Sequence, residues 1–299
     1  VIQCILLLCG GMTLFDSLAT SFGTAGTGGF GIKNDSIGGY SPYIQWVVTI
    51  FMILFGVNFN AYYLILFHQF KKAISMEEVR YYFLVILASI AIICVDIRNY
   101  YESFSEVLRH AAFQVGSLIT TTGFSTTDFN LWPQTSKTIL VLIMFIGACA
   151  GSTGGGIKVS RFVVLFKTVA KELDSYIHPK SIKKIKMDGK PVEHEVLRSI
   201  NVYFITFITV FVVSLLIVSF DGHDLVTNFT AVTATINNIG PGLNIVGPTE
   251  NFGFFSNLSK YVFIIDMLAG RLELFPLLIF FHPAVWQDLF KSKFGKKRR

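Results

Sequence analysis

Charged residues are scarce in this sequence. Asp, Glu, Lys and Arg make up only 15% of its 299 residues, whereas a soluble domain carries them at about a quarter of its positions. Cysteine is also rare, and the four cysteines stand in apolar segments without the spacing of metal ligands. This pattern argues against a disulfide framework and a structural zinc site. The six histidines are scattered and form no catalytic set with cysteines or carboxylates. We therefore predict that the chain is not an enzyme and holds no covalent cofactor.

Apolar residues dominate instead. They make up 52% of the chain, and the mean hydropathy is +0.58. Three apolar stretches, 43–67, 201–220 and 261–281, exceed the roughly 18 residues that a bilayer-crossing helix needs. We therefore predict a multi-pass protein of a cell membrane, either a bacterial inner membrane or a plasma membrane, in contact with membrane lipid. The formal charge of +6 comes from basic residues beside these spans. Such residues set orientation, so nucleic acid is not an expected partner.

Three glycine-centred polar runs interrupt the apolar pattern, at 24–30, 116–128 and 237–243. Before each run stands an apolar segment too short to cross a bilayer, and after each run comes a longer apolar span. These short segments, 12–22, 104–119 and 225–236, are predicted to be re-entrant helices. This order is typical of a re-entrant loop, whose irregular backbone is tolerated at membrane depth only inside protein or beside water. The three runs are therefore predicted to be walls of one ion filter. The alternative is that their glycines merely allow close helix packing.

A fourth glycine-rich run, 147–156, interrupts the apolar span 138–171. Each glycine costs a helix about 1 kcal/mol relative to alanine, so this span is predicted to open into a loop within the membrane. The run continues as Ile157 and Lys158, which departs from the spacing of a phosphate-binding loop. The G-x-G-x-x-G match at 26–31 lacks the flanking strand and helix of a dinucleotide site. Both nucleotide interpretations are therefore rejected.

The chain is predicted to contain four parts. They are an N-terminally incomplete pore repeat at 1–70, a pore repeat with the glycine loop at 71–172, a basic cytoplasmic linker at 173–197, and a last pore repeat with a basic tail at 198–299. Residues 1–10 resemble the end of a span already under way, so the chain is expected to be a fragment. Since basic connections face the cytoplasm, the polar runs open to the outside. Four aspartates there would attract cations: Asp35, Asp128, Asp221 and Asp224.

Six motifs follow one another over nearly the whole chain. They are Thr27-Gly-Gly-Phe30, Thr120-Thr-Thr-Gly-Phe-Ser-Thr-Thr-Asp-Phe129, Trp132-Pro133, Gly151-Ser-Thr-Gly-Gly-Gly-Ile-Lys158, Asn237-Asn-Ile-Gly-Pro-Gly-Leu243 and Gly270-Arg-Leu-Glu273. In these motifs the chain resembles the Trk/Ktr/HKT superfamily of potassium transporters, most closely its TrkH type. The resemblance implies an all-α polytopic membrane protein, with repeated units of span, re-entrant pore helix and span around a central pseudo-fourfold ion pore. It also implies four repeats, of which this sequence holds the last three.

The resemblance further implies where potassium, the transported ion, is bound. Backbone carbonyls and side-chain oxygens of the filter replace its water shell. The implied filter residues are Thr27, Gly28, Gly29, Phe30, Thr121, Thr122, Gly123, Phe124, Asn238, Ile239, Gly240 and Pro241. The implied gating residues are Gly151, Ser152, Thr153, Gly154, Gly155, Gly156 and Arg271.

Arg271 stands in an otherwise largely apolar span. A charge at that depth costs at least about 2.5 kcal/mol and suggests a function. The resemblance places Arg271 in the pore beneath the filter, near the loop 151–156, as an electrostatic barrier. The alternative is a local pair with Glu273 or Asp266 that only stabilises packing, and the loop itself could be a fixed kink.

The predicted function is potassium uptake across the cell membrane through a carbonyl-lined selectivity filter, gated by the intramembrane glycine loop and the pore arginine. The alternative is a truncated, non-conducting regulatory or assembly component of such a transporter. The resemblance implies a homodimer that rests on cytosolic nucleotide-binding regulatory subunits, with the linker 171–198 and the tail 291–299 as docking surfaces. Whether transport is channel-like or coupled to protons or sodium as a symporter stays open.

Overall fold

The computed structural model describes residues 1–179, 184–272, 274–280, 283 and 285. Over these residues the chain is helical, apart from one antiparallel hairpin of two short strands, β1 Lys186–Met187 and β2 Lys190–Pro191. The predicted all-α fold class is therefore confirmed. Some residues of the predicted features lie outside the described residues. They are Lys180 and Lys183 of the linker, Glu273, and the basic tail 291–299.

The first unit contains four helices and is followed by a short fifth one. They are α1 Ile2–Cys9, α2 Leu14–Ala25, α3 Pro42–Phe55, α4 Phe59–Leu66 and α5 Phe70–Ser75. The apolar stretch 43–67, predicted as one span, is divided into two helices, because the chain bends by 93° between α3 and α4. Gly56 lies so close to the hydroxyl of Tyr82 that a side chain would overlap it. Asn58 then starts α4 by accepting a 2.9 Å hydrogen bond from the N–H of Asn60.

The second unit is built around a largely buried re-entrant helix. Its elements are α6 Glu77–Asp96, α7 Phe104–Ile119, α8 Gln134–Ile146 and α9 Val159–Ile177. The re-entrant helix α7 has the predicted bounds and packs against α3, α6 and α8. The predicted break of the inner helix is also confirmed, since α8 and α9 are separated by the irregular segment 147–158.

The third unit repeats the same order. Its elements are α10 His194–Val218, α11 Leu225–Ile236, α12 Asn257–Arg271 and α13 Leu274–Phe280. The re-entrant helix α11 again has the predicted bounds. Of the span predicted over 261–281, residues 273 and 281 lie outside the described residues, and within the described part α12 ends at Arg271. The helix stops where the guanidinium of Arg271 is held by carbonyl oxygens of Gly26 and Thr153, which belong to other segments.

Among the described residues, two helices are long and apolar enough to cross a bilayer unbroken, α6 and the α10 segment that continues to Asp221. The bent pair of α3 and α4 passes the same test when it is counted as one span. The inner helix of every unit is thus interrupted, whereas the outer helices α6 and α10 are continuous. The interruptions bring irregular backbone beneath the ends of the re-entrant helices.

Candidate ion filter and gate

The three re-entrant helices α2, α7 and α11 end in the same way. In each, the second residue past the helix cap donates its N–H back to a carbonyl five residues earlier, which is the Schellman arrangement. These bonds run from Gly28 to Gly23, from Thr122 to Ser117 and from Ile239 to Ala234, over 2.9, 2.9 and 2.8 Å. The carboxyl ends of the helices carry partial negative charge, so all three polar runs begin in a field that favours a cation.

The residue after each cap has the left-handed backbone conformation. Thr27, Thr121 and Asn238 have φ of 48°, 57° and 55°, at a position where helices usually place glycine. A non-glycine residue held there stores about 1–3 kcal/mol of strain and persists only where its surroundings fix it. The next positive φ in each run falls on a predicted filter glycine, two residues later: Gly29, Gly123 and Gly240.

Neighbouring runs touch through these glycines. A Cβ atom on Gly29 would overlap the carbonyl oxygen of Thr122, and one on Gly123 would overlap the carbonyl oxygen of Ile239. The first run therefore stands against the second and the second against the third, with backbone carbonyls at both contacts. Only glycine allows backbones to approach so closely while keeping a positive φ.

The glycine of the third run makes no such contact with a neighbouring run. A Cβ atom on Gly240 would meet no atom within 4 Å in the described part of the chain. A cavity of about 480 Å³ opens between the first and third runs, and Phe22, Phe30, Asn238 and Arg271 are among its lining residues. The three runs thus form a ring with one open side.

The predicted filter side chains do not all face one path. Phe124 is fully buried in the apolar core between the first two units, whereas Phe30 is 81% exposed on the open side. The amide of Asn238 donates a 2.9 Å hydrogen bond to the carbonyl of Met267 in α12. Pro241 lies beside Gly123. The structure therefore brings the backbones of the predicted residues together more than their side chains.

The glycine loop at 151–156 lies directly against all three runs. The hydroxyl of Thr27 donates to the carbonyl of Thr153 over 2.8 Å. The N–H of Gly155 donates to the hydroxyl of Thr121 over 2.6 Å. A side chain on Gly155 would also crowd the carbonyl of Asn237. Thr27 and Thr121, the two threonines with a positive φ, thus bind the loop through their hydroxyl groups.

The loop folds tightly upon itself. Gly151 and Gly156 have φ of 69° and 77°, and Gly156 packs against the backbone of Gly147. The ammonium group of Lys158 donates to the carbonyl of Gly154, while the hydroxyl of Ser152 donates to the carbonyl of Cys149 over 2.6 Å. These internal bonds satisfy irregular backbone that has left both flanking helices.

Arg271 joins the loop to the first run. Its guanidinium donates to the carbonyl of Gly26 over 2.6 Å and to the carbonyl of Thr153 over 3.2 Å. Asp266, one suggested partner, instead accepts a 2.8 Å bond from the hydroxyl of Ser214. The other, Glu273, lies outside the described residues. The position predicted for Arg271, beside the loop and under a filter run, matches this geometry, and its gating role stays a prediction.

Three of the four outer aspartates accept a hydrogen bond from a backbone N–H at the predicted entrance: Asp128 from Asn130, Asp221 from Ser256 and Asp224 from Thr227. The hydroxyl of Thr227 lowers the pKa of Asp224, which caps the first turn of α11. The carboxylate of Asp224 therefore stays charged at the predicted entrance.

Within the described ranges no group of three or more His, Cys, Asp or Glu residues is arranged to hold a metal ion. The oxygens gathered near the three runs are backbone carbonyls and hydroxyls, which suit a cation that is bound weakly and passed on.

Sequence reasoning missed Glu78, which belongs to none of the predicted sites. It is only 4% exposed, and its carboxylate accepts hydrogen bonds from both ends of the glycine loop. A carboxylate in the first turn of an apolar helix was the available signal, but nothing in its sequence neighbourhood indicates the distant loop. The bend at Gly56 and Asn58 was also missed, although a glycine followed by a capping residue inside an apolar span marks a possible break.

Comparison with known proteins identifies relatives along nearly the whole chain. A family model described as "TrkH: Cation transport protein" matches residues 9–293. The "Trk system potassium uptake protein TrkH" of Salmonella typhimurium is 36% identical over 282 residues, which cover 93% of this chain and 58% of that protein. The protein of the same name from Vibrio parahaemolyticus is 35% identical, with the same coverage.

The fold has a close counterpart among solved structures. The structure described as the potassium transporter TrkH from Vibrio parahaemolyticus matches with a TM-score of 0.88 and 33% identity, over 95% of this chain and 62% of that one. The chain thus spans about three fifths of the length of the relatives it matches. The relatives named here are transport proteins rather than enzymes, in agreement with the prediction from the sequence.

Proposed function

Because this chain belongs to the TrkH family of cation transport proteins, we propose that it lines a potassium-selective path for uptake across the cell membrane. One observation carries the proposal. The same strained helix end occurs three times, and in the first two runs the glycine two residues later stands against a carbonyl oxygen of the next run. These contacts bring backbone oxygens of separate units close together, which supports a path in which such oxygens replace the water shell of a potassium ion.

In this proposal the filter discriminates through backbone geometry. Gly123 tests this, since any side chain there would displace the carbonyl of Ile239. We expect Gly123→Ser in the full-length protein to raise sodium permeability relative to potassium, measured as ion flux in liposomes with defined gradients. Gly222→Ser is the matched control, because Gly222 also has a positive φ of 76° but has open space around it. Unchanged permeability ratios for Gly123→Ser would contradict the filter assignment.

The loop 151–156 and Arg271 are proposed as the gate of this path. The loop lies against all three runs, and Arg271 adds a positive charge at the same place. Deletion of 154–156, or Arg271→Ala, should raise basal potassium flux and leave ion preference largely unchanged. Arg80→Ala, on an exposed residue near the basic connection, serves as the control. If both gate variants conduct like the parent, the loop is a fixed kink.

The partners of this chain are also a proposal. The chain would work as a homodimer with cytosolic nucleotide-binding regulatory subunits, which would dock on the basic linker. Lys184, Lys186 and Lys190 are exposed on and beside the hairpin of that linker. Changing these three lysines to glutamine should weaken co-purification of the subunits, whereas the same change at Lys71 and Lys72 should not. Equal retention in both variants would leave the linker with a role in orientation alone.

A second candidate is a non-conducting assembly component. The open side between the first and third runs favours it, because in the described part of the chain no backbone stands against Gly240. The two candidates differ in one measurement: potassium flux through liposomes that contain this chain alone. Flux that Gly123→Ser alters supports the conducting path, and absence of flux with normal folding supports the assembly role.

A further inference from the structure

The carboxylate of Glu78 joins three segments that meet beneath the filter. Its Oε1 accepts hydrogen bonds from the N–H of Ala150 over 2.6 Å and from the N–H of Ser160 over 3.2 Å. Its Oε2 accepts a 3.1 Å bond from the side-chain amide of Asn58. Ala150 and Ser160 stand on either side of residues 151–159, so one carboxylate holds both ends of the glycine loop.

The bond to Ser160 also closes the start of α9. The cap residue of that helix, Lys158, has a φ of 87° and provides no side-chain cap. A carboxylate that accepts from an N–H of the first turn replaces the missing cap and is favoured by the helix dipole. The position of α9 relative to the loop therefore depends on Glu78.

The bond to Asn58 links the same carboxylate to the bend of the first unit. Two backbone bonds run beside it, from the N–H of Cys149 to the carbonyl of Gly56 and from the N–H of Phe59 to the carbonyl of Gly151, over 3.0 and 3.1 Å. The first half of the loop is thus attached to the bend, and the bond from Ser160 to Glu78 connects the start of α9 to the same place. Outward movement of α9 would break the bond to Ser160, since Ser160 is the one of the three donors that lies on α9.

We propose that Glu78 is a positioning residue that latches the glycine loop in place against the filter, and that release of its bond to Ser160 or Ala150 must precede opening. This inference rests on the proposed gate. Buried N–H groups that lose their acceptor are costly, so the latched state is favoured until α9 moves. Glu78 is not one of the residues proposed to line the ion path. Its hydrogen bonds go to Asn58 and to the residues at the two ends of the loop.

Cys149 provides a built-in reporter for the latch. It precedes Ala150 and is fully buried, so a thiol reagent reaches it only when the loop leaves its place. The experiment uses the intact protein in liposomes, with every cysteine except Cys149 replaced by alanine, and measures the rate of maleimide labelling. Glu78→Ala is expected to raise this rate about tenfold or more, because three donors lose their acceptor.

Two further variants separate a latch from general loosening. Asp96→Ala is the matched control, because Asp96 lies at the other end of α6 and accepts from the N–H and hydroxyl of Ser136 over 3.0 and 2.6 Å. It should label at the parent rate. Glu78→Gln keeps the oxygen that can accept from Ala150 and Ser160, so its rate should fall between those of the parent and Glu78→Ala. If Glu78→Ala does not fold, the comparison of Glu78→Gln with Asp96→Ala carries the test.

Parent-like labelling of Glu78→Ala, or equal acceleration by Asp96→Ala, would overturn the latch. Potassium flux measured in the same liposomes separates this proposal from the proposed gate. Faster labelling of Glu78→Ala without a change in flux would uphold the latch and refute the loop as the gate. Increased flux after deletion of 154–156, with parent-like labelling of Glu78→Ala, would refute the latch and keep the gate.

Discussion

The first and second filter runs share the sequence Thr-x-Gly-Phe but have opposite surroundings. Phe124 in the second run is fully buried, and Phe30 at the same place in the first run is 81% exposed. The backbones are nearly the same, since Thr27 and Thr121 have φ of 48° and 57°. A shared motif therefore fixes the local turn, whereas the neighbouring units decide what its side chains contact.

The difference arises from the number of neighbours of each re-entrant helix. α7 packs against α3, α6 and α8, while α2 packs against α1 and α3. Phe124 consequently enters a core with Leu7, Met52 and Phe113, and Phe30 faces the cavity beside the third run. The middle run is supported from both sides, and the first and third runs each lack support on one side.

The largest difference in stability is expected when each of the two phenylalanines is replaced by alanine. Phe124→Ala should destabilise the chain by about 3–5 kcal/mol, because it leaves a cavity in a packed core. Phe30→Ala should change stability by about 0.5 kcal/mol or less, as is usual for exposed side chains. Thermal unfolding in detergent measures both. A loss for Phe30→Ala as large as that for Phe124→Ala would mean that the open side is covered in the folded protein.

A smaller effect is expected from the two strained threonines. Thr121→Val removes the acceptor of the N–H of Gly155, and an unsatisfied buried donor costs about 1–3 kcal/mol. Thr27→Val removes a donor to the carbonyl of Thr153, but Arg271 still donates to that oxygen, so the loss should be smaller. Valine keeps the β-branched shape, which leaves the backbone strain matched between the two variants.

Unfolding midpoints of the two valine variants give the comparison directly. Equal losses would show that the hydroxyl of Thr27 is as important to the loop as that of Thr121. A loss near zero for Thr121→Val would mean that the N–H of Gly155 finds another acceptor.

Much of the fold could be predicted from the sequence because its signals are local. The bounds of α7 and α11 follow from short apolar segments that end at polar runs, and the break at 147–158 follows from its glycines. The candidate site residues were predicted from the polar runs and Arg271, which stand out against an apolar background, together with the family resemblance, and their roles stay predictions. Local chemistry is enough wherever a residue conflicts with its immediate neighbours in sequence.

The missed features depend on contacts between distant segments. The bend between α3 and α4 is fixed by Tyr82 above Gly56 and by the bond from Phe59 to Gly151. Glu78 acts on residues more than 70 positions away. The end of α12 at Arg271 depends on carbonyls of the first unit and of the loop. None of these partners is visible from spacing or composition in the segment itself.

The smallest expected effect concerns how the middle and third re-entrant helices begin. Ser103 caps α7 and does not titrate near neutral pH, whereas Asp224 caps α11 with a carboxylate whose pKa is lowered, chiefly by the hydroxyl of Thr227. A carboxyl whose pKa is lower when folded than when unfolded adds stability above its unfolded pKa of about 3.9, and this stability is lost as the pH falls through the folded pKa. Asp224→Asn keeps a good cap but removes the titration. As the pH is lowered from about 5 towards 3, the unfolding midpoint of the parent should therefore fall more steeply than that of Asp224→Asn. The corresponding difference in the free energy of unfolding should be under about 1 kcal/mol, because solvent screens the exposed carboxylate. Ser103→Ala should lower the midpoint by the same amount at every pH, and parallel pH profiles for the parent and Asp224→Asn would show that Asp224 is not held charged by its cap.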